Sequence, residues 1–182
     1  MEIFCIFITM IETLKERAFN CHRSTNHFYD DKPYEYHLEM VAEVAKKFIH
    51  LIPKKYRDIV ITSCYFHDVI EDTRFTYSDL VKISSLEVAE IVYALTNEKG
   101  KTRKERANDK YYEGIRNTPY ATFVKLCDRI ANIQYSMGQR SRMLEMYRKE
   151  TPDFIEVLYD ERYHEMFKYL ETLVGIKSEE KI

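Results

Sequence analysis

Residues 36–51, YHLEMVAEVAKKFIHL, place Leu38, Val41, Ala42, Ala45, Phe48 and Ile49 at i, i+3, i+4 spacing, the pattern of one buried face on an α-helix. Pro53 closes that segment. The same period returns from Lys55 to Ile70 through Ile59, Val60, Cys64, Phe66 and Ile70. Ser84 followed by Glu87 has capping-box spacing and introduces a helix carrying Val88, Ile91, Val92 and Leu95. Arg103 to Ile115 is charged and helical in propensity. Pro119 sits just inside the start of a helix running to about Ser136, with Gly138 as its stop. A further helix covers about Arg140 to Lys149. Thr151, Pro152 and Asp153 then read as N-cap, N1 and N2 of a final long helix closed by Gly175. Every substantial segment is helical, so the expected fold class is all-α.

Composition agrees with that class. The chain has 182 residues, the length of one domain, yet only 4 glycines and 4 prolines. Average proteins carry roughly 12% of the two together, and all-β folds consume them in turns. Hydrophobic residues at 45% and charged residues at 32% exclude a disordered, collagen-like or membrane-spanning protein. The 28 basic residues against 30 acidic ones give a net charge of −2, without the basic excess of a duplex nucleic-acid binder. The apolar opening MEIFCIFITM is too short to cross a bilayer and lacks a signal-peptide pattern, so a helix packed on the body is expected. Cys5, Cys21, Cys64 and Cys127 show no metal or disulfide spacing, and a reducing, cytoplasmic setting follows. With no repeat or linker, the chain reads as one domain over 1–182, core motifs at about 18–136 and C-terminal helices at about 140–175. The apolar N-terminal helix leaves open a homo-oligomer.

The densest polar cluster is YFHDVIEDT, residues 65–73, with His67-Asp68 followed by Glu71-Asp72. On one helix these four span an arc of about 140°. Three acids and an imidazole on one face repel one another unless a cation is present, and carboxylate with imidazole is a natural ligand pair. A solvated acidic helix end is the plainer alternative. His37 lies upstream in DDKPYEYHLEMV, and Asp128 downstream in KLCDRIANI, with Lys125 and Asn132 on its face. Around Asp128 stand Val124, Leu126, Ile130 and Ile133, and a carboxylate on so apolar a helix needs a partner. An ion pair with Lys125 or Arg129 would also supply one.

The order H…HD…D, and the strings KPYEYHL, HDVIEDT, ALTNEKG and VKLCDRIANI, resemble the HD-domain metal-dependent phosphohydrolases. Within them the likeness is to the hydrolase domain of RelA/SpoT enzymes and the small alarmone hydrolases, over roughly Ala18 to Ser136. The resemblance implies a helical HD-domain bundle that holds one divalent ion on His37, His67, Asp68 and Asp128. Two nitrogens and two carboxylates with water suit octahedral Mn²⁺ better than closed tetrahedral Zn²⁺. It implies Glu71 and Asp72 as the catalytic pair that orients and deprotonates water, and Asn132 and Lys99 as substrate-binding residues. The implied activity is pyrophosphohydrolysis of ppGpp, the alarmone of the stringent response, with a small phosphorylated nucleotide as partner. A second, synthetic domain would not fit in this length.

Family members usually carry Arg-Lys-Ser before the motif histidine, where this chain has Phe28, Tyr29 and Asp30. That leaves open another nucleotide, NADPH 2′-phosphate among them, or a non-catalytic nucleotide sensor. His22, His27, His50 and His164 lack partner motifs and read as surface or packing histidines, His27 being nearest the altered loop. The 15 tyrosines read as amphipathic packing rather than a base-stacking platform. The run from Lys99 to Lys110 reads as a solvated face, or as a phosphate-binding rim through Lys101, Arg103, Lys104 and Arg106. Lys177 to Lys181 reads as a frayed tail.

Overall fold

The computed structural model describes residues 2–139 and 141–176, with side chains from Met10 onward. The tail at Lys177 to Lys181 and Cys5 lie outside the described side chains. The chain is all-α apart from one short hairpin. In order it forms α1 (Glu2–Arg23), β1 (Phe28–Tyr29), β2 (Lys32–Pro33), α2 (Glu35–Phe48), α3 (Arg57–Phe66), α4 (Val69–Asp72), α5 (Tyr77–Ile83) and α6 (Leu86–Leu95). There follow α7 (Arg103–Arg106), α8 (Asp109–Asn117), α9 (Ala121–Gly138), α10 (Arg142–Leu158) and α11 (His164–Val174).

The architecture is built around α9. Its face of Phe123, Val124, Leu126, Cys127, Ile130, Ala131 and Ile133 is fully buried. That apolar surface draws in α2, α3, α6, α8, α10 and α11, all of which pack against it. Helix α2 lies between α3 and α9, burying Leu38, Val41, Ala42, Ala45 and Phe48 as its period requires. Helix α1 packs on α3 and α4. The hairpin pairs Phe28 with Pro33 and Tyr29 with Lys32, and Asp30 makes its turn at φ +53°, a conformation short polar side chains tolerate.

Several element boundaries differ from the sequence expectation, each for a local reason. The segment from Lys55 to Ile70 is not one helix: α3 stops at Phe66 and α4 begins at Val69. The cap before α6 is Ser85, whose side chain accepts from the Val88 amide, so Ser84 and Glu87 do not form the box. Reciprocal boxes form instead at Thr76 with Asp79 and at Thr102 with Glu105. The run from Arg103 to Ile115 divides at Asn108, which caps α8 by accepting from the Tyr111 amide. Pro119 stands in the turn before α9, and Tyr120 enters that helix at φ +66°.

The expected start at Thr151 is absent, because α10 continues from Arg142 through Pro152 to Leu158. The Thr151 hydroxyl donates back to the Tyr147 carbonyl at 2.6 Å instead of capping forward. Burial of Tyr147, Thr151, Phe154 and Leu158 on one face holds the helix through the proline, overriding the break that the local residues favour. The last helix, α11, ends at Gly175 in the left-handed region, φ +76°, as its glycine indicated.

Pro152→Ala restores an amide N–H to the interior of α10. Urea denaturation should show the variant more stable by about 1–2 kcal/mol, the helix gain less the lost proline rigidity of the unfolded chain. Equal or lower stability would mean that the packing of α10 depends on the proline ring.

Candidate active site

The break between α3 and α4 builds the site. On a continuous helix, adjacent residues point about 100° apart, so His67 and Asp68 could not meet at one point. Here Asp68 adopts φ −104°, ψ 2°, the bridge region in which many active-site residues sit. Its carbonyl starts α4 by accepting from the Asp72 amide at 2.9 Å. The turn swings the Asp68 carboxylate back until Oδ2 lies 2.8 Å from His67 Nε2.

Three helices converge on that point. His37, in the first turn of α2, brings Nε2 to 3.3 Å from His67 Nε2 and 3.8 Å from Asp68 Oδ2. Asp128, from the middle of α9, brings Oδ1 to 3.4 Å from His37 Nε2 and 3.8 Å from His67 Nε2. The donor atoms of His37, His67 and Asp128 lie within 4.8 Å of one another, a group that could hold a metal ion. The donor chemistry fits such an ion. The His67 Nδ1–H donates to the Cys64 carbonyl at 2.9 Å, so Nε2 is the atom that faces the cluster and would offer its lone pair on losing its proton to a cation. Both imidazoles are only 2% exposed, whereas Asp68 is 20% exposed, so entry is from the carboxylate side.

Electrostatics bind the cluster together. Burial works against the Asp68 carboxylate, yet His67 and His37 hold its pKa below the usual range. Burial likewise opposes Asp128, and Lys125 with the two histidines keeps it ionised, its pKa well below the ordinary value. Lys125 Nζ donates to Asp128 Oδ2 at 3.0 Å, so the ion pair and the histidine contacts are made by the same carboxylate. His67 is raised to about 9, burial being outweighed by Asp68 and Asp128. Asp72 is raised to about 7 by burial and by the charges of Asp68 and Glu71.

A cavity of about 180 Å³ opens on this cluster. Of the residues singled out in the sequence, His37, Asp68, Glu71, Asp72, Asp128 and Asn132 line it. Glu71 is held by Asn97, accepting from its side-chain amide at 2.7 Å and its backbone N–H at 3.3 Å. The TNE element therefore serves to hold Glu71. Lys99 is exposed and is not among the lining residues, whereas Arg103, from the same charged run, is. Asn132 donates to Asp128 and accepts from the Tyr29 hydroxyl at 2.7 Å.

Of four further lining groups, Tyr34 and Tyr147 carried no sequence signal strong enough to single them out, whereas Tyr29 stood in the altered loop and Arg129 was an expected partner of Asp128. Tyr34 donates to Asp68 and lies 3.5 Å from Asp72, bridging the two acids; its place one helical turn before His37 is the one hint. Tyr29 stacks on the His37 ring at 4.7 Å and 10°. Arg129 turns away from Asp128 to pair with Glu150 at 3.0 Å, and Tyr147 completes that wall. Of the remaining histidines, His50 pairs with Glu165 and His164 bonds Tyr159, both at the surface. His22 is buried, stacks on Tyr34 at 4.4 Å and meets His27 through its Nδ1 at 3.0 Å. His27 in turn stacks on Tyr34 at 3.8 Å and lies 3.9 Å from Asp72, so the altered loop does reach the acids.

The fold is similar to that of a solved structure, titled as a metazoan ortholog of SpoT that hydrolyzes ppGpp and plays a role in starvation responses, with a TM-score of 0.70. The match covers 92% of this chain and 96% of that one at 19% identity. In sequence, the chain is 31% identical over 75 residues to the guanosine-3′,5′-bis(diphosphate) 3′-pyrophosphohydrolase MESH1 of Danio rerio. It is 27% identical over 75 residues to the MESH1 of Drosophila melanogaster. Each match spans 41% of this chain and 42% of the relative, less than half the length of these curated relatives. No family model matches. The resemblance to HD-domain alarmone hydrolases thus holds in sequence and in fold.

Titration of chelator-treated protein with Mn²⁺ in a calorimeter should give one site, with affinity at least 100-fold lower in His67→Ala, since even outer contacts to a metal ligand are worth 10- to 100-fold. Equal affinity in the two proteins would place the ion elsewhere. The buried His22 makes a second prediction. Burial lowers its pKa to about 3, so the unfolded chain takes up this proton near pH 6.5 and the folded chain only near 3. Stability from neutral His22 is complete above 6.5 and is lost as pH falls toward 3. Between pH 7 and 5.5 the parent protein should lose roughly 1 kcal/mol more in urea unfolding than His22→Gln. Parallel losses would show that His22 does not titrate with folding.

Proposed function

We propose that this chain is a single HD-domain, metal-dependent pyrophosphohydrolase that removes the 3′-diphosphate of a guanosine alarmone such as ppGpp. The observation that carries the reading is the convergence of His37, His67, Asp68 and Asp128, with Glu71 and Asp72 lining the same cavity as His37, Asp68 and Asp128. The likeness in fold and partial sequence to ppGpp hydrolases supports it. His37, His67, Asp68 and Asp128 would hold one divalent ion, Mn²⁺ by the nitrogen and oxygen donor set. Such an ion lowers the pKa of water and neutralises phosphoryl oxygens.

The chain's own groups do the rest. Glu71, fixed by Asn97, orients the attacking water, and Asp72 takes its proton. Tyr34 bridges Asp68 and Asp72, holding the base at a set distance from the ligands. Water oxygen bonds to phosphorus as the ester P–O bond breaks, and the proton passes to the ribose 3′ oxygen, leaving a hydroxyl and inorganic pyrophosphate. Asn132, with the cavity-lining Arg103 and Arg129, positions the nucleotide. Three buried free cysteines, Cys21, Cys64 and Cys127, support a reducing, cytoplasmic setting.

The hairpin favours a second reading on the same machinery. Tyr29 already occupies the Asn132 carbonyl and covers His37, where the resemblance implies base-binding polar residues. A different phosphorylated nucleotide would then be the substrate.

The test is release of pyrophosphate or phosphate from ppGpp, pppGpp, the adenine counterpart and NADPH, with Mn²⁺ and with chelator. Metal-dependent pyrophosphate release from ppGpp is expected, with Asp72→Asn lowering kcat roughly 10²- to 10⁴-fold while Mn²⁺ binding is retained. Turnover of NADPH but not ppGpp would select the second reading, and silence on all with metal bound would leave a nucleotide sensor.

A further inference from the structure

The cavity is lined by groups of both charges. These are the acids Asp68, Glu71, Asp72 and Asp128, with Lys125 paired to Asp128, and a basic wall of Arg103 and Arg129 joined through Glu150, beside Tyr147. The basic wall is not simply open to a ligand, because α10 sends a carboxylate into it. Arg103 grips Glu150 in a fork, Nε to Oε1 at 2.8 Å and Nη2 to Oε2 at 3.2 Å. Arg129 Nη1 donates to the same Oε2 at 3.0 Å. Two guanidiniums therefore share one carboxylate, and the cluster keeps a formal surplus of one positive charge beside the metal-ligand group.

The two arginines differ in freedom. Arg129 is 7% exposed and is clamped between rings, its guanidinium 4.5 Å from the Phe154 centroid and 5.1 Å from that of Tyr147. Arg103 has a half-exposed side chain, 50%, and comes from the single-turn helix α7. A guanidinium fork that holds a carboxylate is matched equally well to a phosphoryl group. Arg129 with Glu150 forms the fixed part of this wall, and Arg103 is the part able to change partner.

We infer that Arg103, backed by Arg129 and Tyr147, is a phosphoryl subsite whose resident counter-anion is Glu150, and that substrate binds by displacing Glu150 from Arg103. This deepens the hydrolase reading and rests on it for the identity of the substrate. The subsite takes a phosphoryl group other than one held at His37, His67 and Asp128. It also sets a threshold: a phosphoryl group must attract Arg103 more strongly than a tethered carboxylate does. A diphosphate, with more charge over two tetrahedral groups, meets that condition better than a lone phosphate. Glu150 is thus a specificity-determining residue that acts through Arg103 without touching the reacting atoms.

The test uses the full chain loaded with Mn²⁺, and calorimetric titration with methylenediphosphonate, an uncleavable diphosphate, and with inorganic phosphate. Glu150→Gln, which keeps the side-chain shape, should tighten both ligands, phosphate more than diphosphonate, by about tenfold for phosphate, the range of one charge-assisted contact. Arg103→Gln should weaken diphosphonate about tenfold, and in the Arg103→Gln/Glu150→Gln double variant the gain from losing Glu150 should vanish. Weaker or unchanged binding in Glu150→Gln, or diphosphonate binding indifferent to Arg103→Gln, overturns the inference. Arg103→Gln lies on an exposed turn and keeps the test decisive where Glu150→Gln lowers the melting temperature. If no nucleotide is cleaved yet diphosphonate follows this pattern, the subsite stands and the hydrolase reading falls. If nucleotide is cleaved and its KM ignores Glu150→Gln, only the subsite falls.

Discussion

Two carboxylates, Asp68 and Asp128, are drawn into the interior beside two imidazoles where α2, the α3–α4 break and α9 meet. Burial of a bare carboxylate is costly, so every neighbouring element is arranged to keep these two ionised and accompanied. Lys125 pairs with one oxygen of Asp128 while the other faces the histidines, and Tyr34 donates to Asp68. The apolar faces of α2, α3 and α9 supply the surrounding burial that holds these helices together. Fold stability and site geometry are here the same set of contacts.

The helix break at His67 and Asp68 turns that arrangement into chemistry. Without it, two adjacent side chains would diverge, and α4 could not aim Asp72 into the cavity while Glu71 reaches Asn97. Acids and arginines line the same cavity, so it offers a ligand partners of both charges. The hairpin at residues 28–33 contributes Tyr29 to the cavity, set on His37 and Asn132, and the adjoining His27 lies near Asp72, which makes this segment part of the site's structure.

Much of this was legible in the residues. The 3.6-residue period of residues 36–51 reports directly which side chains face inward, because an amphipathic helix has one way to bury its stripe. The motif strings marked His37, His67, Asp68, Glu71, Asp72, Asp128 and Asn132 through their resemblance to a known family, and all but His67 line the cavity. Lys99 stands apart, because a lysine on a loop has no periodicity to say where it points; the structure brings Arg103 to the cavity and leaves Lys99 exposed. Thr151 and Pro152 mislead. Their local preference for a helix start is real but worth less than the burial of Tyr147, Phe154 and Leu158 on either side.

The sequence by itself determined the all-α class and the helical stripes that form the core, because each depends on spacing within a single segment. Tertiary structure alone decided which residues share the cavity. Tyr34 with Asp72, Tyr29 with Asn132, and Glu150 with Arg103 and Arg129 are pairings between distant segments. They are set by how helices cross around α9, and no local pattern encodes a crossing.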